Sequence, residues 1–130
     1  MGTIKFRAKN LDGEWVYGFY VEEDRQTLNG FEKKYLIVND DGHHYVKPET
    51  VGQFTGLHDN DGKEIYEGDI MNNPTSKNVG VVKWNSVLCQ FQLSWQNMPT
   101  AADIFFMVES GSFVIGNIHD NPELLKGGEQ

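Results

Sequence analysis

Short runs of alternating apolar and polar residues, separated by turn signals, dominate the pattern of this chain. Asn-Gly and Asp-Gly pairs supply the positive φ angles of tight hairpins, and they occur at positions 12–13, 29–30, 41–42 and 61–62. The run 88–95 shows the period of two that a half-buried strand requires. Its apolar face consists of Cys89, Phe91, Leu93 and Trp95. This spacing, with little helical periodicity, predicts a barrel or a sandwich of short strands.

Runs rich in β-branched and aromatic residues give the other predicted strands. They lie at 3–8, 15–21, 35–38, 43–46, 80–84 and 113–118. The runs 35–38 and 43–46 flank Asp41-Gly42 and predict a hairpin. Near the end, Asn121-Pro122-Glu123 has the residue types of a helix start, namely a cap, a first-turn proline and a first-turn acid. We therefore expect one short C-terminal helix from about Asn121, which Gly127-Gly128 would end.

The best candidate boundary between parts of the chain is the segment 48–56, which begins with a proline and ends with a glycine. We expect an N-terminal β-meander over residues 1–50, packed on an SH3-like small barrel over residues 51–125 as one compact unit. The SH3-like interpretation rests on the strand at 66–71, a loop, and the returning strand that ends at Trp84. Residues 126–130 are expected to form a frayed tail.

The composition is that of a single small domain with a real core. The chain has 130 residues, 38% of them hydrophobic, with eight Phe, five Tyr and three Trp. No run approaches the ~20 apolar residues of a membrane span, and the start carries no secretory signal. We therefore expect a cytoplasmic protein without membrane contact. The single cysteine, Cys89, lies in an apolar run and is interpreted as a buried small hydrophobe.

The formal net charge of -8 argues against nonspecific nucleic-acid binding, which depends on basic residues that neutralise phosphates. Lys5, Arg7 and Lys9 form one local basic cluster. At alternate positions of a strand they line one face, and we interpret them as the solvated face of an edge strand. Acidity favours cationic partner surfaces, although solubility alone also accounts for it.

The densest polar stretch, residues 55–69, is the natural place to look for a metal site. Its acids are Asp59, Asp61, Glu64, Glu67 and Asp69. A calcium loop counted from Asp59 would need glycine at its sixth position and an acid at its twelfth. Gly62 is fourth and Ile70 is twelfth, so the match fails. A hairpin turn at 60–63 explains the residue types better. A metal-dependent hydrolase or nuclease that uses the five carboxylates remains the alternative.

No other pattern in the chain indicates catalysis. His43 and His44 are adjacent and would face opposite sides of a strand, and His58 and His119 stand singly. Nucleophile elbows, phosphate-binding loops and zinc-protease motifs are absent from the sequence. We expect no catalytic residue, no metal, no cofactor and no enzymatic activity. The aromatic side chains of Trp84, Phe91, Trp95 and Phe113 are interpreted as core rather than as a binding platform, with Trp84, Trp95 or both largely buried.

Three stretches, in order and over nearly the whole chain, resemble the YopX family of phage and prophage proteins. They are Ile4-Lys5-Phe6-Arg7-Ala8, the segment 50–70 around Phe54-Thr55-Gly56-Leu57-His58-Asp59, and the segment 114–125 around Gly116-Asn117-Ile118-His119-Asp120-Asn121. Family members often carry Trp where this chain has Lys9, and usually an aromatic residue where it has His119. These departures lie at motif edges and bear on local packing rather than on membership.

The resemblance implies a phage or prophage origin in a bacterial host, a mostly β fold and self-association, and it implies no established activity. The favoured function is a non-enzymatic binding or assembly protein that acts on a protein partner or on itself. Most motif residues are glycine or apolar, which is typical of a fold signature. The polar exceptions are the candidate binding residues: Thr55, Asp59, Tyr66, Glu67, Asp69, Asn117 and Asn121.

Overall fold

A computed structural model describes residues 4–125, and it confirms the mostly β fold. The chain divides into two compact units, residues 1–54 and 55–130. The predicted frayed tail, residues 126–130, lies outside the described residues. None of the helices in residues 4–125 is long and apolar enough to span a membrane.

The N-terminal unit is a set of antiparallel strands in the order β4-β3-β2-β1-β5. Their bounds are β1 Phe6–Lys9, β2 Trp15–Thr27, β3 Gly30–Asn39, β4 Gly42–Tyr45 and β5 Gly52–His58. Only the first residues of β5, up to Phe54, belong to this unit. A 3₁₀ turn, Pro48–Thr50, precedes β5. The predicted hairpin is present, since Leu36 faces Tyr45 and Val38 faces His43. Its turn is Asp40-Asp41, and Gly42, at φ 120°, opens β4.

A small apolar core holds this unit together. Ala8, Ile37 and Val46 are buried at its centre, and Phe6, Val16, Tyr20, Tyr35 and Val51 pack around them. Bonds from the Val46 amide to the Tyr35 carbonyl and from the Lys47 amide to the Lys9 carbonyl, both 2.9 Å long, fix the chain after β4. The β2–β3 hairpin therefore contributes to the core only at the end away from its turn, where Tyr20 pairs with Ile37.

The interpretation of the first strand as a solvated edge is wrong. β1 lies between β2 and β5, with Arg7 facing Tyr17 on one side and Gly52 on the other. Arg7 is only 6% exposed, and its guanidinium carbon lies 4.5 Å from the Trp15 ring centre. Lys9 lies 5.5 Å from the same ring. The basic cluster is thus packed on aromatic side chains, an arrangement that favours a cation electrostatically.

The C-terminal unit contains a five-stranded antiparallel sheet in the order β10-β9-β8-β7-β11. The elements after β5 are β6 Glu64–Tyr66, β7 Asp69–Asn72, β8 Val79–Asn85, β9 Gln90–Trp95, β10 Ala101–Asp103, α1 Ile104–Glu109, β11 Val114–Asn117 and a 3₁₀ turn Pro122–Leu125. The last residues of β5 belong to this unit, and β6 is the neighbour of β5 in its sheet. The predicted terminal helix is this 3₁₀ turn, whereas α1 was not predicted.

The second core is formed by residues of β6, of this sheet and of α1. Its buried members are Ile65, Met71, Val82, Leu93, Trp95, Ile104, Met107, Val108 and Val114. The expectation that Trp84, Trp95 or both are buried is confirmed through Trp95, which is 7% exposed. Trp84 is 47% exposed and packs against Phe91, with 4.9 Å between ring centres. Phe113 is also exposed, so the predicted aromatic core holds only in part.

The interpretation of Cys89 as a buried hydrophobe is wrong. β9 begins at Gln90, and Cys89 lies exposed in the turn before it with φ 53°. The alternation of the run continues into β9 from Phe91 onwards, but its first two residues belong to the turn. The sequence has no glycine at this turn to mark the end of the strand.

An exposed thiol should react in the native protein. We expect Cys89 to be modified by a thiol-specific chromogenic reagent without denaturant, because its side chain is exposed and only a long 3.5 Å contact joins the thiol to the Ser86 carbonyl. The measurement compares the reaction in buffer with that in guanidinium chloride. A thiol that reacts only after denaturation would contradict this placement.

Candidate functional site

Asp59 joins two distant parts of the C-terminal unit through its carboxylate. One oxygen accepts bonds from the amides of Asp61 (3.0 Å) and Lys63 (2.9 Å) and so closes the predicted turn. The other accepts a 3.0 Å bond from the amide of Val114, the first residue of β11. The residue is 6% exposed. Three backbone donors thus converge on one buried carboxylate, which is the geometry of a structural acceptor.

Asp69 and Tyr66 form a similar connection across the turn between β6 and β7. The buried Asp69 carboxylate accepts a 2.7 Å bond from the Tyr66 amide. The Tyr66 hydroxyl donates to Glu64 at 2.8 Å, and the ring is 2% exposed. Glu67 lies in the turn itself and is partly exposed. Asp69 and Tyr66, two of the candidate binding residues, therefore stabilise this turn through their hydrogen bonds.

Thr55 has the same kind of role on β5. Its hydroxyl donates to the Ile65 carbonyl at 2.8 Å and accepts a 3.2 Å bond from the Leu57 amide. Asparagines do so after β11, where the Asn117 side chain accepts from the amides of His119 and Asp120, both at 2.9 Å. Asn121 in turn accepts a 3.2 Å bond from the Asn117 amide. These side chains organise backbone.

The strand pairing brings several of the candidate residues together. Asp69 faces Asn117 in the β7–β11 pair, and the Ile118 amide donates to the Gly68 carbonyl at 3.0 Å. Thr55 and Asp59 lie along β5 and the turn after it, at the other end of this network. What they form is a network of turns and strand ends, and their side-chain acceptors are directed at backbone donors of the same unit.

No group of three or more His, Cys, Asp or Glu side chains within residues 4–125 is placed to hold a metal ion. His43 and His44 face different partners on β3, Val38 and Ile37, and so lie on opposite faces of β4. His44 contacts the Asn39 side chain at 3.1 Å. The carboxylates of the polar segment are spread over a turn, a buried strand end and a tyrosine contact.

The N-terminal unit has a long arm that was not predicted from the sequence. β2 and β3 pair from Phe19–Val38 to Thr27–Gly30, and we call the outer part, residues 22–35, the arm. At its tip Leu28 is fully exposed and Phe31 is 76% exposed. At its base the Tyr20 hydroxyl donates to Glu22 at 2.9 Å, and burial together with this bond raises the pKa of Tyr20 to about 12. Apolar residues on both sides of Asn29-Gly30 were the available signal.

Two shallow grooves lie on the C-terminal unit. One, of about 330 Å³, lies on β8, β9 and β10 and is lined by polar side chains, among them Lys83, Asn85 and Gln92. The Asn85 amide donates to Gln92 at 2.9 Å. The other, of about 350 Å³, lies beside α1 and is lined mainly by Trp95, Phe106 and Met107. Neither contains a cluster of titratable groups.

Comparison with known proteins identifies a family and a similar solved structure. No curated protein matches the chain. A crystal structure of protein EF1440 from Enterococcus faecalis is similar, with 25% sequence identity and a TM-score of 0.55. The similarity covers 96% of this chain and 99% of that one. The sequence model of the family described as YopX protein matches residues 5–126, nearly the whole chain. The chain therefore belongs to the YopX protein family.

Proposed function

We propose that this protein is a non-enzymatic binding or assembly protein, encoded by a phage or prophage and acting in the cytoplasm of the bacterial host. The observation that carries the proposal is the use of the motif carboxylates. Asp59 accepts three backbone amides and Asp69 is 1% exposed and bonded to an amide, so both serve the fold. In a binding protein, exposed side chains contact the partner. Large apolar side chains of this kind, Leu28 and Phe31, are exposed on the arm.

Family membership supports the origin in a phage or prophage, which is what the sequence resemblance implies. The same resemblance supports self-association, and a partner is then either a host protein or a second copy of this chain. The SH3-like description of residues 51–125 belongs to the proposal as well. Its support is the succession of short antiparallel strands β7, β8 and β9 around one core.

Charge supports a protein partner rather than a nucleic acid. The chain carries 19 acidic and 11 basic residues, so its mean field repels polyanions and attracts cationic surfaces. The cluster at Lys5, Arg7 and Lys9 is packed on Trp15 and Phe54. We therefore propose no nonspecific binding to DNA or RNA.

The test sets the binding protein against the metal-dependent hydrolase or nuclease that would use Asp59, Asp61, Glu64, Glu67 and Asp69. An ion that binds the native state stabilises it by mass action, whereas an ion that does not bind leaves it unchanged. We therefore expect the melting temperature to stay within about 1 °C of its metal-free value in millimolar magnesium, manganese or calcium. The measurement is a thermal unfolding scan with and without each ion.

The control is the acid Glu49, which lies outside the polar segment and is exposed on a 3₁₀ turn. An increase of several degrees that Asp61→Asn removes and Glu49→Gln retains would establish a metal site in the segment. That result would overturn the proposed function in favour of the enzyme.

A further inference from the structure

The groove on β8, β9 and β10 brings polar side chains of neighbouring strands together on one face of the C-terminal sheet. Lys83 faces Gln92 in the β8–β9 pair, and Ser94 faces Ala101 in the β9–β10 pair. Residues directly opposite each other have Cβ atoms about 4.5–5.5 Å apart, so Lys83 and Gln92 are neighbours. Gln92 and Ser94 alternate with the buried Leu93 and therefore share the outer face of β9. Ala101 carries only a methyl group, which leaves the groove open beside Ser94.

The orientation of the Gln92 amide follows from its contact with Asn85. The Asn85 Oδ1 atom accepts bonds from the amides of Val87 and Leu88, both 3.0 Å long, so Nδ2 is the atom that meets Gln92. This Nδ2 atom donates to the Gln92 Oε1 atom at 2.9 Å. The Gln92 oxygen is thereby occupied, and its NH₂ group remains to donate. Asn85 thus presents Gln92 to the groove as a hydrogen-bond donor.

Lys83 and Ser94 contribute further donors to the same groove. Within residues 4–125 no carboxylate forms an ion pair with the Lys83 ammonium, and the residue is exposed. The Gln92 NH₂ group and the Ser94 hydroxyl make no hydrogen bond to the part of the chain that the structure describes. The groove therefore offers several donors, one of them a cation, while the side-chain oxygens of Asn85 and Gln92 are already in use.

One acid lies beside this set of donors. Asp103 faces Gln92 in the β9–β10 pair, on the side away from Lys83. Its carboxylate accepts a 3.3 Å bond from the Phe105 amide and caps α1, and the residue does not line the groove. A negative charge at this position weakens the attraction of an anion to Lys83 without blocking access to it. Removal of the Asp103 charge should therefore strengthen anion binding.

We propose that this groove binds the phosphate or carboxylate group of a small ligand. The Lys83 ammonium offsets the charge of the anion, and the Gln92 NH₂ group and the Ser94 hydroxyl donate to its oxygens, as charge-assisted hydrogen bonds do. The volume of about 330 Å³ lies at the lower end of the range of about 300–1,000 Å³ for small-molecule sites. Trp84 also lines the groove and is 47% exposed. The inference adds a ligand to the proposed binding function and does not require a protein partner.

The net charge of -8 is compatible with such a site. A polyanion extends over many surface acids, whereas a small anion responds to the charges within about one Debye length, ~8 Å at physiological ionic strength. Among the described residues that line the groove, Lys83 is the one charged side chain. The local charge is therefore positive although the mean field of the chain is negative.

The experiment uses the full isotope-labelled chain and two probes, inorganic phosphate and succinate. We expect one probe or both to shift the side-chain NH₂ resonances of Gln92 in a saturable way in proton–nitrogen correlation spectra. Sodium chloride at equal ionic strength should not reproduce this shift. Saturation by phosphate alone indicates a phosphorylated ligand, saturation by succinate alone indicates a carboxylate ligand, and saturation by both indicates that the groove accepts either group. Loss of one NH₂ pair in Gln92→Glu assigns the signal.

Four variants locate the anion, and backbone resonances of β8 and β9 report its affinity in each. Lys83→Gln and Lys77→Gln remove the same charge, but Lys77 is exposed in the loop before β8 and outside the groove. We expect Lys83→Gln to weaken binding about tenfold or more and Lys77→Gln to change it by less than about twofold. Gln92→Glu keeps an oxygen for Asn85 but replaces the donor by an acid, so binding should be lost. Asp103→Asn retains a capping residue and should strengthen binding about twofold.

The absence of a saturable shift with both anions would overturn the proposal. Equal weakening by Lys83→Gln and Lys77→Gln would also overturn it, because the probe would then be an adventitious ion only. Unchanged affinity in Gln92→Glu, or weaker binding by Asp103→Asn, would place the anion elsewhere and have the same consequence. Melting temperatures close to wild type show that the variants fold, and the two lysine variants carry the test if Gln92→Glu does not fold. None of these results bears on the metal test, so the proposed function and this site fail separately.

Discussion

Asp59→Ala is expected to lower the free energy of unfolding by about 3 kcal/mol. The substitution removes the acceptor of three backbone amides, one of which, at Val114, is buried and has to lose its partner without access to water. A buried donor left unsatisfied costs about 1–3 kcal/mol, and a bond to a charged acceptor is worth more than a neutral one. The measurement is the midpoint of urea unfolding at constant m-value.

Asp61→Ala is the matched control. Asp61 is exposed in the same turn, and its side chain is not among the acceptors of these amides, so we expect a change within about 0.5 kcal/mol. Asp59→Asn keeps one carbonyl oxygen and should fall between the two. Stability of Asp59→Ala equal to that of Asp61→Ala would show that the carboxylate does not hold the turn to β11.

Local signals sufficed for much of the fold. Turn chemistry placed the β3–β4 hairpin, and the period of two identified the buried face of β9 at Leu93 and Trp95. Both signals depend on neighbours in sequence, because a tight turn and a pleated strand are local structures. The 3₁₀ turn at Pro122–Leu125 likewise follows from residues at its own start.

Signals that depend on distant pairing could not be obtained in this way. The basic pattern of β1 is that of an edge strand, and only its pairing with β5 places Arg7 inside the sheet. Helix α1 has six residues, too few for a helical period to appear. Cys89 adopts a positive φ of 53° in a turn that contains no glycine, so the usual sequence signal for a positive φ is missing.

The candidate site shows the same limit more sharply. The sequence identified Asp59 as a polar exception in an apolar motif, and the structure places it at a junction. One carboxylate oxygen of Asp59 accepts bonds within its own turn. Whether the residue binds a ligand or stabilises the backbone depends on which group donates to the other oxygen. Here that group is the amide of Val114, 55 residues away. The arm was not predicted because its sequence looks like an ordinary charged surface. Only the pairing of β2 with β3 brings residues such as Asp24 and Lys33 opposite each other.

Gly18→Ala is expected to destabilise the N-terminal unit by about 3 kcal/mol. A methyl group at Gly18 would overlap the Val38 carbonyl oxygen and would lie 3.0 Å from the Asn39 Cβ and 3.1 Å from an Ile37 methyl. The main obstacle is backbone in the paired strand β3, which cannot turn aside as a side chain can. Overpacking of this kind typically costs about 1–3 kcal/mol. Urea unfolding, with m unchanged, measures the loss.

Gly13→Ala separates this overlap from the general cost of replacing a glycine. Gly13 has φ 86°, and a methyl group added there would meet nothing within 4 Å, so its substitution carries backbone strain without a clash. We expect a cost of about 1 kcal/mol there. A loss at Gly18 no larger than that at Gly13 would mean that β2 moves away from β3 at little cost, and the close approach of the two strands at Gly18 would then not be what anchors the base of the arm.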